Sequence, residues 1–219
     1  MQALPSYILD AIKQCSVFFV ENERSARRYV KLLDKQFAID DNEWFTIGKA
    51  EGNVLEHFKQ KIKEGKTIGI LSEAGCPGVA DPGQMLVAAA QEMNVQVTPL
   101  TGPSSILLAL MASGMNGQQF SFVGYLPIDN QQRFKEIKEL EARSNKNNST
   151  QIFIETPFRN NQLFESLMKI CHPHTKICVA ANLTGPDEWV KTKSVKQWKK
   201  EPADLHKKPV IFLLHSHST

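Results

Sequence analysis

The chain has 219 residues, of which 42% are apolar and 22% charged. These are ordinary proportions for a globular protein and exclude extensive disorder, collagen and long coiled coils. Its uncharged stretches contain Thr, Pro, Gly, Ser and Gln instead of about 20 consecutive apolar residues, so we expect no membrane span. We also expect no signal peptide, because the first residues lack a basic segment followed by an apolar one. Four scattered cysteines favour a reduced, cytoplasmic protein.

The net charge of +3 is unevenly distributed. Residues 1–115 carry 11 basic and 13 acidic side chains (11 − 13 = −2), whereas residues 116–219 carry 15 and 10 (15 − 10 = +5). An anionic partner would therefore meet the second half. A solvated, lysine-rich face explains the same excess equally well.

Hydrophobic spacing predicts alternating helices and strands along the whole chain. Helices are predicted at residues 4–14, 24–35, 51–64, 83–93, 104–113, 131–143, 157–170 and 194–200. Strands are predicted at residues 16–20, 44–47, 67–71, 95–100, 120–125, 151–155, 176–182 and 210–214, and a polar loop at 144–150. The alternation is typical of parallel α/β sheets. Because the pattern restarts after residues 114–117, we predict two α/β domains, 1–116 and 117–219, with a ligand cleft between them.

Several common site motifs are absent from the sequence. It contains no G-x-G-x-x-G, H-E-x-x-H, C-x-x-C or G-x-S-x-G pattern. Gly65-Lys66-Thr67 resembles the end of a P-loop, but Gln60 stands where that motif requires its first glycine. Residues 171–174 (CHPH) and Cys178 are of metal-ligating types, but their spacing matches no standard zinc pattern, so no metal site is predicted.

Two glycine- and proline-containing loops stand out. Residues 72–83 include three glycines and two prolines and follow a predicted strand, so they lie at the carboxyl end of the sheet, where ligands bind. Residues 101–105 follow the next predicted strand, and we expect both loops to face one crevice. The alternative is a pair of tight structural turns. The first loop is longer than the usual βα connection of about two to six residues, which favours a functional role.

The charge around these loops narrows the ligand class. Residues 67–132 contain no Lys, Arg or His, but they contain Glu73, Asp81, Glu92 and Asp129. Sites for di- or triphosphates normally supply a basic side chain. A neutral or cationic ligand fits this region better. S-adenosylmethionine is one such ligand, because it is a sulfonium cation without phosphate. The charge alone does not single it out.

Four segments resemble the tetrapyrrole methylase superfamily of S-adenosylmethionine-dependent methyltransferases. They are SEAGCPGVADPG at residues 72–83, TGPSSILLALMASG at 101–114, FVGYLP at 122–127 and IFIETPFR at 152–159, and VENERSARR at 20–28 is also similar. The match is closest to the branch that methylates a ribose 2′-oxygen of small-subunit ribosomal RNA. The resemblance implies two α/β domains, a cofactor cleft between them and a homodimer. It also implies these cofactor-binding residues: Gly75, Cys76, Pro77, Gly78, Val79, Ser104, Ser105, Glu155, Thr156, Asn182, Leu183, Thr184 and Pro209.

The sequence departs from the pattern of that branch at several points. Glu73 replaces Asp, Thr101 replaces the first Pro of a P-G-P loop, Phe158 replaces His, and residues 129–132 lack a Lys. These changes bear on substrate identity more than on fold or cofactor. The opening strand of the family has no counterpart before Leu4. We expect either that the gene starts upstream of Met1 or that the sheet has one strand fewer.

Three carboxylates are candidates for the base that would accept a proton from a hydroxyl acceptor. They are Glu73, Asp81 and Glu155, and each has a structural alternative. Glu73 could stabilise its loop, Asp81 could form a turn before Pro82, and Glu155 could pair with Arg159.

Three functions therefore remain open: methylation of ribose in ribosomal RNA, methylation of a tetrapyrrole or another small molecule, and binding of S-adenosylmethionine without catalysis. Residues 189–200 contain five lysines and no acid, interleaved with Trp189 and Trp198, and Lys207 and Lys208 follow. Lysines beside aromatic rings suit RNA. The alternative is an amphipathic edge whose tryptophans pack inward.

Overall fold

A computed structural model describes residues 3–48 and 51–216, without the side chains of residues 51 and 52. The chain divides into two compact units, Met1–Ser104 and Ser105–Thr219. The division lies before the predicted boundary at residues 116 and 117. The reason is that the helix Ser105–Ser113 (α5) packs through Ala109 and Leu110 on the sheet of the second unit.

The first unit contains a three-stranded parallel sheet with the order β2-β1-β3. Its strands are β1 (Val17–Val20), β2 (Glu43–Thr46) and β3 (Ile68–Leu71). Its helices are α1 (Ile8–Gln14), α2 (Glu23–Leu33), α3 (Glu51–Lys63) and α4 (Gln84–Glu92). The predicted parallel α/β architecture is confirmed for this unit, whereas α1 begins later than the predicted helix at residue 4.

The central strand β1 is buried on both faces. Val17 and Phe19 pack against α3 and α4, whereas Phe18 and Val20 pack against α1 and α2. All four side chains are fully buried, as expected for a parallel strand covered by helices on both sides. β3 pairs with this buried strand, and the predicted ligand loop extends from the carboxyl end of β3.

The predicted strand at residues 95–100 is wrong. The segment adopts no regular secondary structure, and residues 96–100 are exposed. Its alternating apolar pattern favours an extended chain, but a strand also needs a neighbour to satisfy its backbone groups. No described strand pairs with it. The second loop therefore does not follow a strand adjacent to β3. That the sheet lacks the opening strand of the family stays a prediction.

The second unit contains a five-stranded mixed sheet with the order β4-β5-β8-β6-β7. The strands are β4 (Phe120–Tyr125), β5 (Thr150–Ile154), β6 (Lys176–Ala181), β7 (Trp189–Ser194) and β8 (Val210–His215). Only β4 and β5 pair in parallel, so the expectation of a parallel sheet is wrong here. Residues 182–188, which connect β6 to β7, are too few for a parallel crossover.

Helices cover both faces of this sheet. The helices α6 (Asn130–Asn147), α7 (Asn160–Ile170) and α8 (Val195–Trp198) pack on one face, and α5 packs on the other. α6 continues into the predicted polar loop and ends at Asn148, which is left-handed. The sequence did not predict β7, because the central residues of this strand are lysines and a threonine and form no apolar run. Within the described ranges, no helix combines the length and apolar character needed to cross a membrane.

Candidate functional site

Glu73 is anchored by residues that follow the neighbouring strand β1. Its backbone N–H donates to the Glu21 carboxylate over 2.9 Å, and its Oε1 accepts a hydrogen bond of 2.6 Å from the Ser25 hydroxyl. Glu73 is thus brought to the carboxyl ends of β1 and β3, as the parallel sheet predicts. Sequence reasoning missed Glu21, although its position directly after a buried strand was a usable signal.

The five predicted cofactor-binding residues 75–79 form one compact turn. The Val79 N–H donates to the Cys76 carbonyl over 3.0 Å, and the Gly78 N–H donates to the Pro82 carbonyl over 3.2 Å. Gly75 and Gly78 have φ of 69° and 79°, a left-handed conformation that glycine adopts without strain. The two glycines therefore leave their parts of the turn without side chains.

Asp81 occupies the end of this turn and is half-buried. With Pro82, Gly83 and residues of α3 and α4, it lines a cavity of about 340 Å³. Partial burial and the neighbouring Glu21 carboxylate both raise the pKa of Asp81. A raised pKa makes this carboxylate a stronger proton acceptor once it is ionised.

Asp81→Asn is expected to stabilise the fold increasingly as the pH rises from 4 to 7. The folded state holds the Asp81 proton more tightly than the unfolded state, so the wild-type protein loses stability as the pH rises through the raised pKa. Asparagine removes that loss. Urea unfolding of the wild type and the variant at pH 4 and pH 7 measures the difference in their free energies of unfolding. Asp204→Asn is the opposite control, because hydrogen bonds from Asn161 and the His206 backbone lower the pKa of Asp204. Parallel pH profiles for the wild type and Asp81→Asn would contradict the expectation.

The predicted site residues at positions 155, 156, 182–184 and 209 lie together at one end of the second unit's sheet, here called the β5 end. Glu155 and Thr156 follow β5, residues 182–184 follow β6, and Pro209 precedes β8. The register of β5, β8 and β6 brings these positions to the same edge. The Asn182 N–H donates to the Pro209 carbonyl over 3.0 Å, which joins two of the segments directly.

Glu155 is buried and tightly engaged. Its Oε1 accepts hydrogen bonds from Arg159 Nη2 at 2.7 Å and Nε at 3.0 Å, and from the Thr156 N–H at 2.6 Å. These hydrogen bonds from Arg159 and Thr156 occupy the Oε1 atom of the carboxylate. This geometry favours the alternative that Glu155 pairs with Arg159 over a role as base.

Left-handed residues other than glycine concentrate in the same loops. Asn94 and Asn148 end helices, where asparagine tolerates this conformation. The others are Ala80 in the first loop and Asn182, Thr184 and Lys207 at the β5 end, with φ between 52° and 65°. Such strain is rare for alanine, threonine and lysine, and it clusters at functional sites. Lys207 was not among the predicted site residues.

Ser104 and Ser105 lie where the two units of the chain meet in sequence. Ser104 is half-buried, and the exposed Ser105 begins α5. Their predicted contact with the cofactor stays a prediction.

Cys171 and Cys178 are buried, and burial raises the pKa of Cys178 to about 11. Among the described residues, no group of three His, Cys, Asp or Glu side chains could hold a metal ion.

The lysine-rich segment occupies β7 and α8. Trp198 is fully buried and donates from Nε1 to the Ile177 carbonyl over 2.8 Å, and the half-buried Trp189 packs against the same core. The tryptophans therefore pack inward, as the alternative predicted. Lys193 lies over the Trp198 ring and pairs with Glu201. The lysines exposed on this segment are Lys191, Lys196, Lys199 and Lys200.

Comparisons with known proteins agree with the motifs. The tetrapyrrole (corrin/porphyrin) methylases match residues 7–198 of this chain. Ribosomal RNA small subunit methyltransferase I from Vibrio cholerae is 26% identical over 95% of this chain and 71% of its own length. The proteins of that name from Escherichia coli O157:H7 and Halalkalibacterium halodurans are 28% and 35% identical over 87% and 76% of this chain. The chain spans 66% and 55% of those two relatives.

Solved structures support the fold. The methyltransferase CobJ superposes with a TM-score of 0.64 at 17% identity, covering 98% of this chain and 89% of its own. Uroporphyrin-III C-methyltransferase from Thermus thermophilus, complexed with S-adenosylhomocysteine, superposes with a TM-score of 0.56 at 14% identity, covering 98% and 92%. These likenesses and the family match confirm the fold class and the family that the sequence motifs indicated.

Proposed function

Because the chain belongs to the tetrapyrrole (corrin/porphyrin) methylase family, we propose that it is an S-adenosylmethionine-dependent methyltransferase that modifies a ribose 2′-oxygen of small-subunit ribosomal RNA. The observation that carries the proposal is the 72–83 loop, whose left-handed glycines and clustered carboxylates occur in a chain related to named ribosomal RNA methyltransferases.

The residues of this chain fit S-adenosylmethionine. The glycines of the turn at residues 75–79 carry no side chains that would block a ligand, and the carboxylates of Glu21, Glu73 and Asp81 gather beside the turn. Residues 67–132 contain no basic side chain. An acidic environment suits a ligand that carries a sulfonium and an ammonium group and no phosphate. When bound, this cofactor supplies an electrophilic methyl group.

The protein's own contribution is orientation and removal of a proton. A hydroxyl acceptor reacts faster when a base takes its proton, typically by ~10²–10⁴-fold. Asp81 is the strongest of the three candidates, because partial burial and Glu21 raise its pKa. Glu73 positions the loop through Ser25 and Glu21, and Glu155 orients Arg159. We assign the cofactor-binding role to both loops and to the β5 end.

A second candidate acceptor is a tetrapyrrole. The family description names corrin and porphyrin methylases, and the solved structures with this fold include uroporphyrin-III C-methyltransferase. The relatives that share more sequence with this chain are named as ribosomal RNA methyltransferases, which favours RNA.

Labelled methyl transfer separates the candidates. The protein is incubated with methyl-labelled S-adenosylmethionine and either small ribosomal subunits lacking the modification or a porphyrinogen. Label in RNA, resistant to alkaline cleavage at the modified ribose, supports the proposal. Label in the porphyrinogen alone supports the second candidate. Cofactor binding by calorimetry without transfer to either acceptor would indicate a protein that binds the cofactor without catalysis.

We also propose a homodimer in the cytoplasm. The resemblance implies the dimer, and all four cysteines are free, which suits a reducing compartment. Sedimentation equilibrium of the purified chain measures the oligomeric state, and a monomer at micromolar concentration would contradict the dimer.

The exposed lysines in α8 and directly after it, Lys196, Lys199 and Lys200, here called the α8 lysines, are expected to contact RNA phosphates. Each phosphate contact contributes about 0.7–0.9 to the slope of log affinity against log salt concentration. Charge reversal of Lys196, Lys199 and Lys200 together should flatten that slope and weaken RNA binding, without changing cofactor affinity. These side chains are exposed, so the fold should persist. An unchanged slope and unchanged methylation would exclude this segment as an RNA contact.

A further inference from the structure

We propose that Phe158, His206 and Lys207 form a docking surface for a single-stranded nucleotide of the RNA acceptor, adjacent to the β5 end. The inference rests on the proposed function and assigns the acceptor contact within the second unit. Phe158 would stack on a base, and Lys207 would contact a phosphate.

Phe158 presents an aromatic ring to solvent. It is 69% exposed, although phenylalanine is usually buried. Its ring centroid lies 6.1 Å from that of His206, with the planes at 75°. The two rings form an exposed edge-to-face pair. Any of the four bases can stack on such a ring, because every base has a π-face.

The backbone fixes this pair in place. The Lys207 N–H donates to the Pro157 carbonyl over 3.0 Å, and the buried Asn160 side chain donates to the Lys208 carbonyl over 2.7 Å. These bonds join residues 206–208 to the segment that follows β5. Lys207 is held at φ 59°, a conformation that costs energy for lysine. The surface is therefore preformed, which lowers the entropic cost of binding.

Of the lysine and arginine side chains around this surface, Lys207 is the one that is exposed to solvent, whereas Arg159 and Lys208 are engaged by other groups of the protein. Arg159 is engaged by the buried Glu155. Lys208 is half-buried and donates to the Asp204 carbonyl over 2.8 Å. The Asp204 carboxylate accepts from Asn161 and from the His206 N–H. Lys207 is exposed beside the two rings. An exposed cation next to exposed aromatic rings complements a nucleotide, which has a planar base and an anionic phosphate.

The position of the surface relates it to the acceptor nucleotide. It adjoins Glu155 and Pro209 at the β5 end, whereas α8 follows Ser194 at the opposite end of the sheet. The six residues of β6 separate the two ends by about 17 Å. The α8 lysines would thus hold RNA at a distance, and Phe158 would hold a nucleotide near the predicted site residues.

Binding of a fluorescent single-stranded RNA and the KM for small ribosomal subunits test the proposal. Phe158→Ala should weaken RNA binding and raise KM by about tenfold, corresponding to ~1.4 kcal/mol, and Phe158→Trp should restore both. Lys207→Asn tolerates the left-handed backbone and should reduce the salt slope. Phe120→Ala removes an exposed ring at the opposite end of the sheet, and Lys35→Asn removes an exposed cation of the first unit. Both variants should leave RNA binding and KM unchanged. Cofactor affinity should stay constant in all variants.

Each other outcome has a defined meaning. Wild-type methylation of RNA with equal KM values for Phe158→Ala and Phe120→Ala would overturn the docking surface and leave the proposed function intact. A change of oligomeric state in Phe158→Ala would also overturn it, because Phe158 would then contact protein. A wild-type protein that methylates a porphyrinogen and not RNA would overturn the proposed function itself.

Discussion

Gly78→Val is expected to abolish binding of S-adenosylmethionine. Gly78 has φ 79°, and a β-branched residue in this region pays at least about 1–2 kcal/mol. A Cβ at this position would lie 3.7 Å and 3.8 Å from backbone atoms of Gln84, which is ordinary contact distance. The folded loop therefore has room for the first side-chain atom. The expected loss comes from backbone strain in the turn and from side-chain atoms in the space that a close approach of the cofactor to this backbone needs.

Calorimetric titration with near-millimolar cofactor measures this effect. Gly78→Asn is a matched variant, because asparagine tolerates the left-handed conformation, and it separates strain from side-chain obstruction. Gly117→Val is the control, because Gly117 has no atom within 4 Å of its Cβ position and no positive φ. Affinity that is unchanged in Gly78→Val would exclude the turn as part of the cofactor site.

The first unit was largely predictable because its signals are local. The VFFV segment is apolar on both faces, so it predicts a strand buried between helices, as found for β1. The glycines and prolines of residues 72–83 predict an irregular ligand loop. The left-handed φ values of its three glycines agree with that prediction. The strand prediction at residues 95–100 was wrong because an apolar pattern describes only the side chains. A strand also needs a neighbouring strand to pair with, and the pattern does not show whether one is present.

The second unit was less predictable because its features depend on packing between distant residues. The direction of β6, β7 and β8 follows from a short connection and a shared core, which spacing alone does not encode. Trp198 occurs among lysines, and only its bond to the Ile177 carbonyl identifies it as core. Phe158 was noted as a departure from the family pattern, but its exposure and its contact with His206 required coordinates.

Arg133 is expected to be the most stabilising charged residue of α6. It is only 2% exposed, and its guanidinium donates to Ser166 Oγ at 3.1 Å, to the Ile128 carbonyl at 2.8 Å and to the Asn130 side chain. These neutral acceptors join the segment before α6 to α7. Arg133→Ala should destabilise the fold by about 3 kcal/mol, because each lost bond to a charged donor is worth roughly 1.5–3 kcal/mol, offset in part by the relief of burying a charge.

Urea unfolding of the wild type, Arg133→Ala and Arg143→Ala measures this contribution. Arg143 lies on the same helix and is exposed, so its replacement should change stability by less than about 0.5 kcal/mol. Arg133→Lys keeps the charge but loses the planar fork that reaches three acceptors, so its stability should fall between those of the wild type and the alanine variant. Equal unfolding free energies for Arg133→Ala and Arg143→Ala would show that the buried guanidinium gains nothing over its desolvation cost. A lysine variant as stable as the wild type would show that charge, and not the three-way geometry, holds the segment before α6 in place.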